Sequence, residues 1–162
     1  MDTYHINIAG VERELIKYPV NDKLDIAAFI MFGDVEVTEQ AAAALLKRCP
    51  EHDVVVTAEA KGIPLCYEMA RQGCREYVIA RKSIKVYMRN CVGVEVNSIT
   101  TSEVQKLYLG DTDASFLKDK RVLIVDDVIP AIRNSLRAKF SRAKNTVQSR
   151  GAIRAQVIVE LE

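Results

Sequence analysis

The sequence predicts an α/β fold, a mainly parallel twisted sheet flanked by helices on both faces. Two short apolar runs, 53–57 (DVVVT) and 122–125 (VLIV), have the length and continuous hydrophobicity of strands that are buried on both sides. Strands alternate with helical segments through 53–80 and again through 121–161, which is typical of parallel sheets. A small β-rich insert is expected over one edge of this sheet.

The individual elements follow from local signals. Alternating polarity predicts an N-terminal hairpin that turns near Ala9-Gly10, and Thr38 is a plausible N-cap for an alanine-rich helix that ends near Pro50. Pro64 in the first turn and Gly73 at the end delimit a second helix. We predict the following later elements: a strand at 76–80, the β-rich insert at 84–110, a polar connection at 112–120, a strand at 122–125, a helix at 131–147 and a strand at 155–161.

Length and composition indicate one globular domain over residues 1–162. The chain is 49% hydrophobic and 28% charged, and it contains no apolar run of the roughly 20 residues that a membrane span requires. The first residues lack a basic and apolar leader, so we expect a cytoplasmic location without membrane association. The four cysteines form no C-x-x-C pair and lie far in sequence from the two histidines, a pattern that favours buried thiols over a zinc site.

The charge distribution is uneven. Residues 128–159 carry seven Lys or Arg side chains and no acid, which leaves a net −6 (+1 minus 7) for the rest of the chain. A basic stretch at 133–154 could contact nucleic acid. A helix with a solvated basic side accounts for it better, because apolar residues recur there at helical spacing, namely Ile132, Leu136, Phe140, Ala143 and Val147.

Two segments that follow predicted strands could bind anions. In the first, 57–62, Glu59, Ala60, Lys61 and Gly62 form a small-residue turn before a helix, where backbone amides and the lysine can approach a phosphate. The alternative is an ordinary strand-to-helix turn. In the second segment, 80–85, three cations could hold a polyanion: Arg81, Lys82 and Lys85. The alternative there is a solvated loop.

Two further segments supply acids. The hydroxyl-rich stretch 99–104 contains Glu103 and could be a lid that carries a general acid or base, or simply a hairpin tip. The strand at 122–125 leads directly into Asp126 and Asp127. Such a pair could bind vicinal ribose hydroxyls or hold Mg²⁺ through water, and the alternative is an acidic helix start.

In this order, the four segments resemble the type I phosphoribosyltransferases, above all the adenine phosphoribosyltransferase group. VLIVDDVI at 122–129 is similar to the family's strand before the loop that binds 5-phosphoribosyl-1-diphosphate (PRPP), and EAKG at 59–62 is similar to its pyrophosphate loop. The segment at 80–85 resembles the Arg-Lys-rich segment after the next strand, and Ser102-Glu103 the flexible-loop position.

The resemblance implies a Mg²⁺-dependent purine salvage enzyme. It would transfer ribose 5-phosphate from PRPP to a purine base, adenine above others, and release pyrophosphate. The resemblance also implies a homodimer, an N-terminal hood formed by residues 1–35 and a flexible loop within 84–110. Asp126 and Asp127 would bind the ribose and, indirectly, Mg²⁺. Residues 59–62, Arg81, Lys82 and Lys85 would bind pyrophosphate, and Glu103 would assist the proton on the base.

The chain departs from the family at the 5′-phosphate loop. Pro130, Ala131, Ile132 and Arg133 stand where the family has a Ser/Thr-Thr-Gly run, before Asn134-Ser135 resumes the pattern. Proline removes a backbone amide, and isoleucine cannot adopt the backbone conformations of glycine cheaply. The sequence is therefore also compatible with a catalytically impaired module that senses PRPP or a nucleotide.

Overall fold

The computed structural model describes residues 2–21, 24–27, 29–97, 104–127 and 155–156. These residues form nine strands and three helices, which are numbered along the chain. The strands are β1 (Thr3–Ile8), β2 (Val11–Asn21), β3 (Leu24–Ala27), β4 (Val54–Ala58), β5 (Tyr77–Ala80), β6 (Val92–Asn97), β7 (Val104–Leu109), β8 (Val122–Ile124) and β9 (Ala155–Gln156). The helices are α1 (Val35–Leu46), α2 (Ile63–Gln72) and α3 (Asp111–Leu117).

The central sheet is parallel, as the sequence predicts. Its strands lie in the order β5-β4-β8-β9, and each adjacent pair is parallel. Val55 pairs with Tyr77 on one side and with Leu123 on the other, which places β4 inside the sheet. Residues 54–57 are buried, so the continuous apolar run of β4 does cover both faces.

Helices lie on both faces of this sheet. Val55, Leu123 and Val125 pack on one face against α1 and α2, whose buried side chains include Leu45 and Met69. The opposite face packs against the end of α3; its members are Val54, Val56, Val78, Val122 and Leu117. The alternation of β4 side chains between the two clusters is the period-two geometry of a strand. The two-sided arrangement predicted from the sequence is therefore confirmed.

The N-terminal strands form a separate three-stranded antiparallel sheet in the order β1-β2-β3. The predicted turn is correct: Ala9 and Gly10 both have positive φ angles, 52° and 89°, as tight hairpin turns require. Ile8 and Val11 on either side of the turn are buried in the core beside α1. The Arg13 guanidinium connects this sheet to the start of α1 by donating to both Asp34 carboxylate oxygens, at 2.7 and 2.9 Å.

The β-rich insert predicted at 84–110 contains two strands, which begin only at Val92. Strands β6 and β7 pair antiparallel, and an isolated bridge joins Arg81 to Tyr108 just beyond β5. Two backbone hydrogen bonds make this bridge, from Arg81 N to Tyr108 O and from Tyr108 N to Arg81 O, at 2.9 and 2.8 Å. The insert is thus attached at the β5 edge of the central sheet.

Two local predictions are wrong. Helix α1 begins after Asp34, not Thr38: the Asp34 carboxylate accepts from Val37 N at 3.1 Å, and the Thr38 hydroxyl instead donates to Asp34 O within the helix. An aspartate satisfies the free amides of a helix start at least as well as threonine, and the true start lies outside the alanine-rich run. The polar connection predicted at 112–120 contains α3, whose Leu117 is buried. A seven-residue helix with one buried side chain has too little apolar periodicity to be detected.

The remaining predictions concern residues outside the described ranges. They are the helix at 131–147, the strand at 155–161 beyond Gln156, the Glu103 segment and the loop at 130–135. No helix in the part of the chain that the structure describes is long and apolar enough to cross a membrane.

Candidate active site

The candidate site lies where the chain changes direction across the central sheet. From β4 the chain passes to β5 on one side, and it later returns to β8 on the other side of β4. The carboxyl ends of β4 and β8 therefore border the crevice at which open α/β sheets bind ligands. Residues 59–62 follow β4 there, and Asp126 and Asp127 follow β8.

The two aspartates are packed closely at the end of β8. Val125 N donates to Val56 O at 2.9 Å, which continues the pairing with β4 up to the acid pair. Asp127 N donates to the Asp126 carboxylate at 3.0 Å. Burial raises the pKa of Asp126, and the neighbouring Asp127 carboxyl raises it further, while the Lys61 charge acts in the opposite direction. Asp126 thus retains a proton at higher pH than an ordinary aspartate.

Lys61 faces the acid pair from the neighbouring loop. Its Nζ lies 3.2 Å from Asp127 Oδ2, and the Asp127 side chain is only 5% exposed. The same carboxylate oxygen is buried and accepts no hydrogen bond from the described residues. Lys61 therefore supplies charge to Asp127 without a well-directed hydrogen bond, and Asp127 Oδ2 keeps an unused acceptor position that is covered in this structure.

Gly62 permits the close approach of these two segments. A Cβ atom on Gly62 would lie 2.4 Å from Thr57 Oγ1 and 2.8 Å from Asp126 Oδ1, so no other residue fits without displacing its neighbours. Gly62 is also the N-cap of α2, where Ile63 N donates to Ala60 O at 3.2 Å and Pro64 has no N–H, so the helix dipole favours an anion there more than free amides do. Thr57, which is fully buried, belongs to the site's packing although its residue type alone gives no functional signal.

Glu59 connects the loop after β4 to residues 81–85 after β5, which are called the cationic segment below. Its carboxylate accepts from Lys82 N at 2.9 Å and lies 3.4 Å from an Arg81 guanidinium nitrogen. The Lys82 amide is the main reason that the pKa of Glu59 is lowered, and the charges of Arg81, Lys85 and Lys82 add to it. Glu59 therefore positions the cationic segment in this structure. The peptide bond between Glu59 and Ala60 is cis.

The cationic segment retains donors that the described residues leave unused. Arg81 Nε is buried without a hydrogen-bond partner in this part of the chain, although the Arg81 backbone is held by Tyr108. Lys85 Nζ donates to the Ser83 hydroxyl at 2.7 Å. The sequence does not indicate a role for Tyr108, because Tyr108 holds Arg81 through backbone atoms, which every residue type provides.

Three of the four predicted segments thus follow adjacent strands at one edge of the sheet. The structure brings Lys61 to Asp127, and Glu59 to Arg81 and Lys82. The fourth segment, with Glu103, and the loop from Pro130 to Ser135 lie outside the described residues. Within those residues, no group of three or more His, Cys, Asp or Glu side chains is arranged to hold a metal ion.

Two solved structures that match this fold are adenine phosphoribosyltransferases. The enzyme from Thermoanaerobacter pseudethanolicus superimposes with a TM-score of 0.57 at 18% identity, over 88% of this chain and 94% of that one. The enzyme from Saccharomyces cerevisiae, solved with adenine and an imino-altritol bisphosphate, gives 0.57 at 15% identity over 79% and 76%. The chain shares the fold of these phosphoribosyltransferases. This supports the type I phosphoribosyltransferase-like fold that the sequence predicts.

The likeness is one of structure. No family model matches the sequence, and no curated protein does either. Proteins of low sequence identity can share a fold and differ in activity, so the function has to be argued from the residues at the site.

Proposed function

We propose that this protein is a purine-type phosphoribosyltransferase, which transfers ribose 5-phosphate from PRPP to a nucleobase, preferably adenine, in purine salvage. One observation supports the proposal above all. Asp126 and Asp127 lie beside the loop after β4, and Glu59 of that loop in turn contacts the cationic segment after β5. In the reaction, the bond between ribose C1 and the diphosphate oxygen breaks. A bond from C1 to a ring nitrogen of the base forms, and that nitrogen loses its proton.

The acid pair suits the ribose. Two vicinal hydroxyls offer O–H donors, and Asp127 Oδ2 is a buried acceptor that receives none from the described residues. Carboxylates beside the ring also stabilise the positive charge that develops on the sugar as the diphosphate departs. Asp126 and Asp127 therefore orient the ribose and favour the transition state.

The cations suit the diphosphate. Lys61, Arg81, Lys82 and Lys85 follow two adjacent strands, and the positive end of the α2 dipole lies just after Gly62. These groups neutralise the charge of the leaving pyrophosphate, and a better-stabilised leaving group lowers the barrier to C1–O cleavage.

The residues fit a Mg²⁺ ion held indirectly. The site has two adjacent carboxylates, one with a buried oxygen that lacks a hydrogen bond from the described residues, and it has no third ligand among those residues. Mg²⁺ commonly keeps several waters and binds through one or two carboxylates together with substrate phosphates. Bound there, the ion would neutralise diphosphate charge, while Asp126 and Asp127 hold the ribose.

Two roles are proposed from the sequence alone. Glu103, on the predicted flexible loop, assists the proton on the base. The loop from Pro130 to Ser135 binds the 5′-phosphate in a geometry of its own, with Arg133 and Ser135 as the phosphate ligands. A homodimer in the cytoplasm is part of the same proposal, and the free cysteines in the structure accord with a reducing compartment.

The composition of the 5′-phosphate loop favours a second candidate function. Pro130 and Ile132 replace residues that would supply an amide and a flexible backbone. A chain with this loop could bind PRPP or a nucleotide as a sensor without transferring the ribose. The basic stretch at 133–154 would then be available to contact nucleic acid.

Turnover and binding measured together separate the two candidates. The protein is incubated with Mg²⁺, PRPP and adenine, hypoxanthine, guanine or xanthine, and nucleotide is quantified by chromatography while PRPP binding is measured by calorimetry. The enzyme proposal expects nucleotide from at least one base, and an Asp126→Asn/Asp127→Asn variant as control should lose it. PRPP binding without nucleotide from any base would favour the sensor, and absence of PRPP binding would contradict both.

A further inference from the structure

The contact between Lys61 and Asp127 joins the two halves of the proposed substrate site. Asp127 follows β8 and is assigned to the ribose, whereas Lys61 follows β4 and is assigned to the diphosphate. Their charged atoms are 3.2 Å apart. Lys61 therefore contacts the carboxylate that is proposed to bind the ribose, and it would compete there with the ribose hydroxyls.

The two partners differ in their freedom to move. The Asp127 side chain is 5% exposed, whereas the Lys61 side chain is 51% exposed. Lysine carries its charge on a flexible four-carbon stem and forms no fixed geometric fork with a carboxylate. Asp127 Oδ2 accepts no hydrogen bond from Lys61 or from the other described residues. Lys61 can consequently leave while Asp127 stays in place.

When Lys61 leaves, the buried Asp127 carboxylate needs new hydrogen-bond donors, and the ribose hydroxyls can provide them. A buried carboxylate without a cation or hydrogen-bond donors is costly, and here a second carboxyl, Asp126, lies adjacent. Vicinal hydroxyls provide two donors to such a pair. At the same time, a diphosphate beside the start of α2 offers Lys61 a stronger anion than the carboxylate it leaves.

We infer that Lys61 serves two anions in turn: the Asp127 carboxylate, with which it pairs in the structure, and the diphosphate group of the substrate. Binding of the diphosphate draws Lys61 away and frees Asp127 to accept the ribose hydroxyls. The two parts of PRPP then bind cooperatively, and a ligand that carries only one part binds less well. This inference rests on the proposed function and adds a positioning role for Lys61 to it.

The other nearby cations provide a matched control. The backbone amide of Lys82 is bound to Glu59, and its exposed side chain contributes charge to the same region without an ion pair to Asp127 in the structure. A Lys82→Gln variant should weaken diphosphate binding through loss of charge alone. A Lys61→Gln variant should in addition remove the connection between diphosphate and ribose binding.

The test is calorimetry with two separate ligands, inorganic pyrophosphate and ribose 5-phosphate, at a fixed Mg²⁺ concentration. The Kd of ribose 5-phosphate is measured without pyrophosphate and at saturating pyrophosphate, and the ratio of the two values is the coupling factor. We expect this factor to fall by about 5-fold or more in Lys61→Gln, near the lower end of typical couplings between sites. It should be unchanged in Lys82→Gln, and circular dichroism checks that each variant is folded.

The outcomes separate this inference from the proposed function. An equal coupling factor in the wild type and Lys61→Gln would overturn the inference and leave the proposed function standing. An equal fall in Lys61→Gln and Lys82→Gln would also overturn it, because general charge would then explain the effect. If neither ligand binds the wild-type protein, the proposed function fails and the inference fails with it.

Discussion

Gly62 and Asp126 are in contact across the candidate site, with no room for a side chain between them. A Cβ atom on Gly62 would lie 2.8 Å from Asp126 Oδ1 and 3.2 Å from Asp126 Cα. The loop after β4 and the acid pair after β8 therefore form one packed unit. This close packing requires that residue 62 has no side chain.

Gly62→Ala should destabilise the fold and weaken PRPP binding. Overpacking of a close-packed site typically costs about 1–3 kcal/mol, and here the neighbours that must move are Thr57 and Asp126. Urea unfolding and calorimetry with PRPP measure the two effects. Gly110→Ala is the matched control, since Gly110 is also an N-cap residue and the atom nearest to its added Cβ would be Met88 Cβ, at an ordinary contact distance of 3.7 Å. Equal stability losses in both variants would count against the proposed packing.

Replacing Asp126 should change how stability depends on pH. Burial and the adjacent Asp127 raise the pKa of Asp126 in the folded protein above its unfolded value. The folded state then binds the proton more tightly, so the stability that Asp126 contributes is complete below about pH 4 and is lost as pH rises through the raised pKa. Asp126→Asn removes this loss and should gain stability relative to the wild type between acidic and neutral pH. Denaturant unfolding across this range measures the difference, and parallel curves for the two proteins would refute the expectation.

Glu59 should matter as an anchor for the cationic segment. Glu59→Ala removes the acceptor for Lys82 N and the carboxylate beside Arg81, and a hydrogen bond to a charged group contributes about 1.5–3 kcal/mol. We expect weaker pyrophosphate binding and a loss of stability of roughly this size. Glu59→Gln keeps an acceptor for the amide while losing the charge, so its effect should be intermediate. If Glu59→Gln and Glu59→Ala behave alike in unfolding and calorimetry, the Lys82 hydrogen bond contributes nothing.

The pair Arg13–Asp34 should stabilise the attachment of the N-terminal sheet to α1. Both side chains are about one-third exposed or less, and two donors of Arg13 bind the two oxygens of Asp34. Arg13→Ala and Asp34→Asn, combined in a double-mutant cycle, should give a favourable coupling energy, while asparagine preserves the helix cap. The pair Lys17–Asp2, whose Asp2 side chain is 74% exposed and makes a single contact at 3.0 Å, serves as the comparison and should give a smaller value. Comparable coupling in the two pairs would contradict the role of the bidentate contact.

The sequence predicts the central sheet well because burial determines it. The residues of β4 and the apolar run ending at Val125 can satisfy their hydrophobicity only inside a parallel sheet, and the turns at Gly10 and Gly73 carry residues suited to them. Local competition explains the errors. Asp34 and Thr38 are both good caps, and the tertiary partner Arg13, distant in sequence, accompanies Asp34.

The sequence predicts which residues lie at the site but not which of them contact one another. Acids and cations just after strands indicate the edge of the sheet at which they gather. Only the structure shows that β8 returns to the side of β4 opposite β5, which brings Asp127 to Lys61. The same holds for Glu59, whose partners Arg81 and Lys82 lie more than twenty residues away along the chain. Such pairings depend on topology, which residue types do not encode.

We propose that the crevice between β4 and β8 catalyses phosphoribosyl transfer. The most direct measurement is the simultaneous quantification of adenosine monophosphate and pyrophosphate from Mg²⁺, PRPP and adenine, for the wild type and for Asp126→Asn/Asp127→Asn. We expect the wild type to form the two products in equal amounts and the variant, still folded, to form neither. Pyrophosphate release without nucleotide, or equal turnover by the variant, would contradict it.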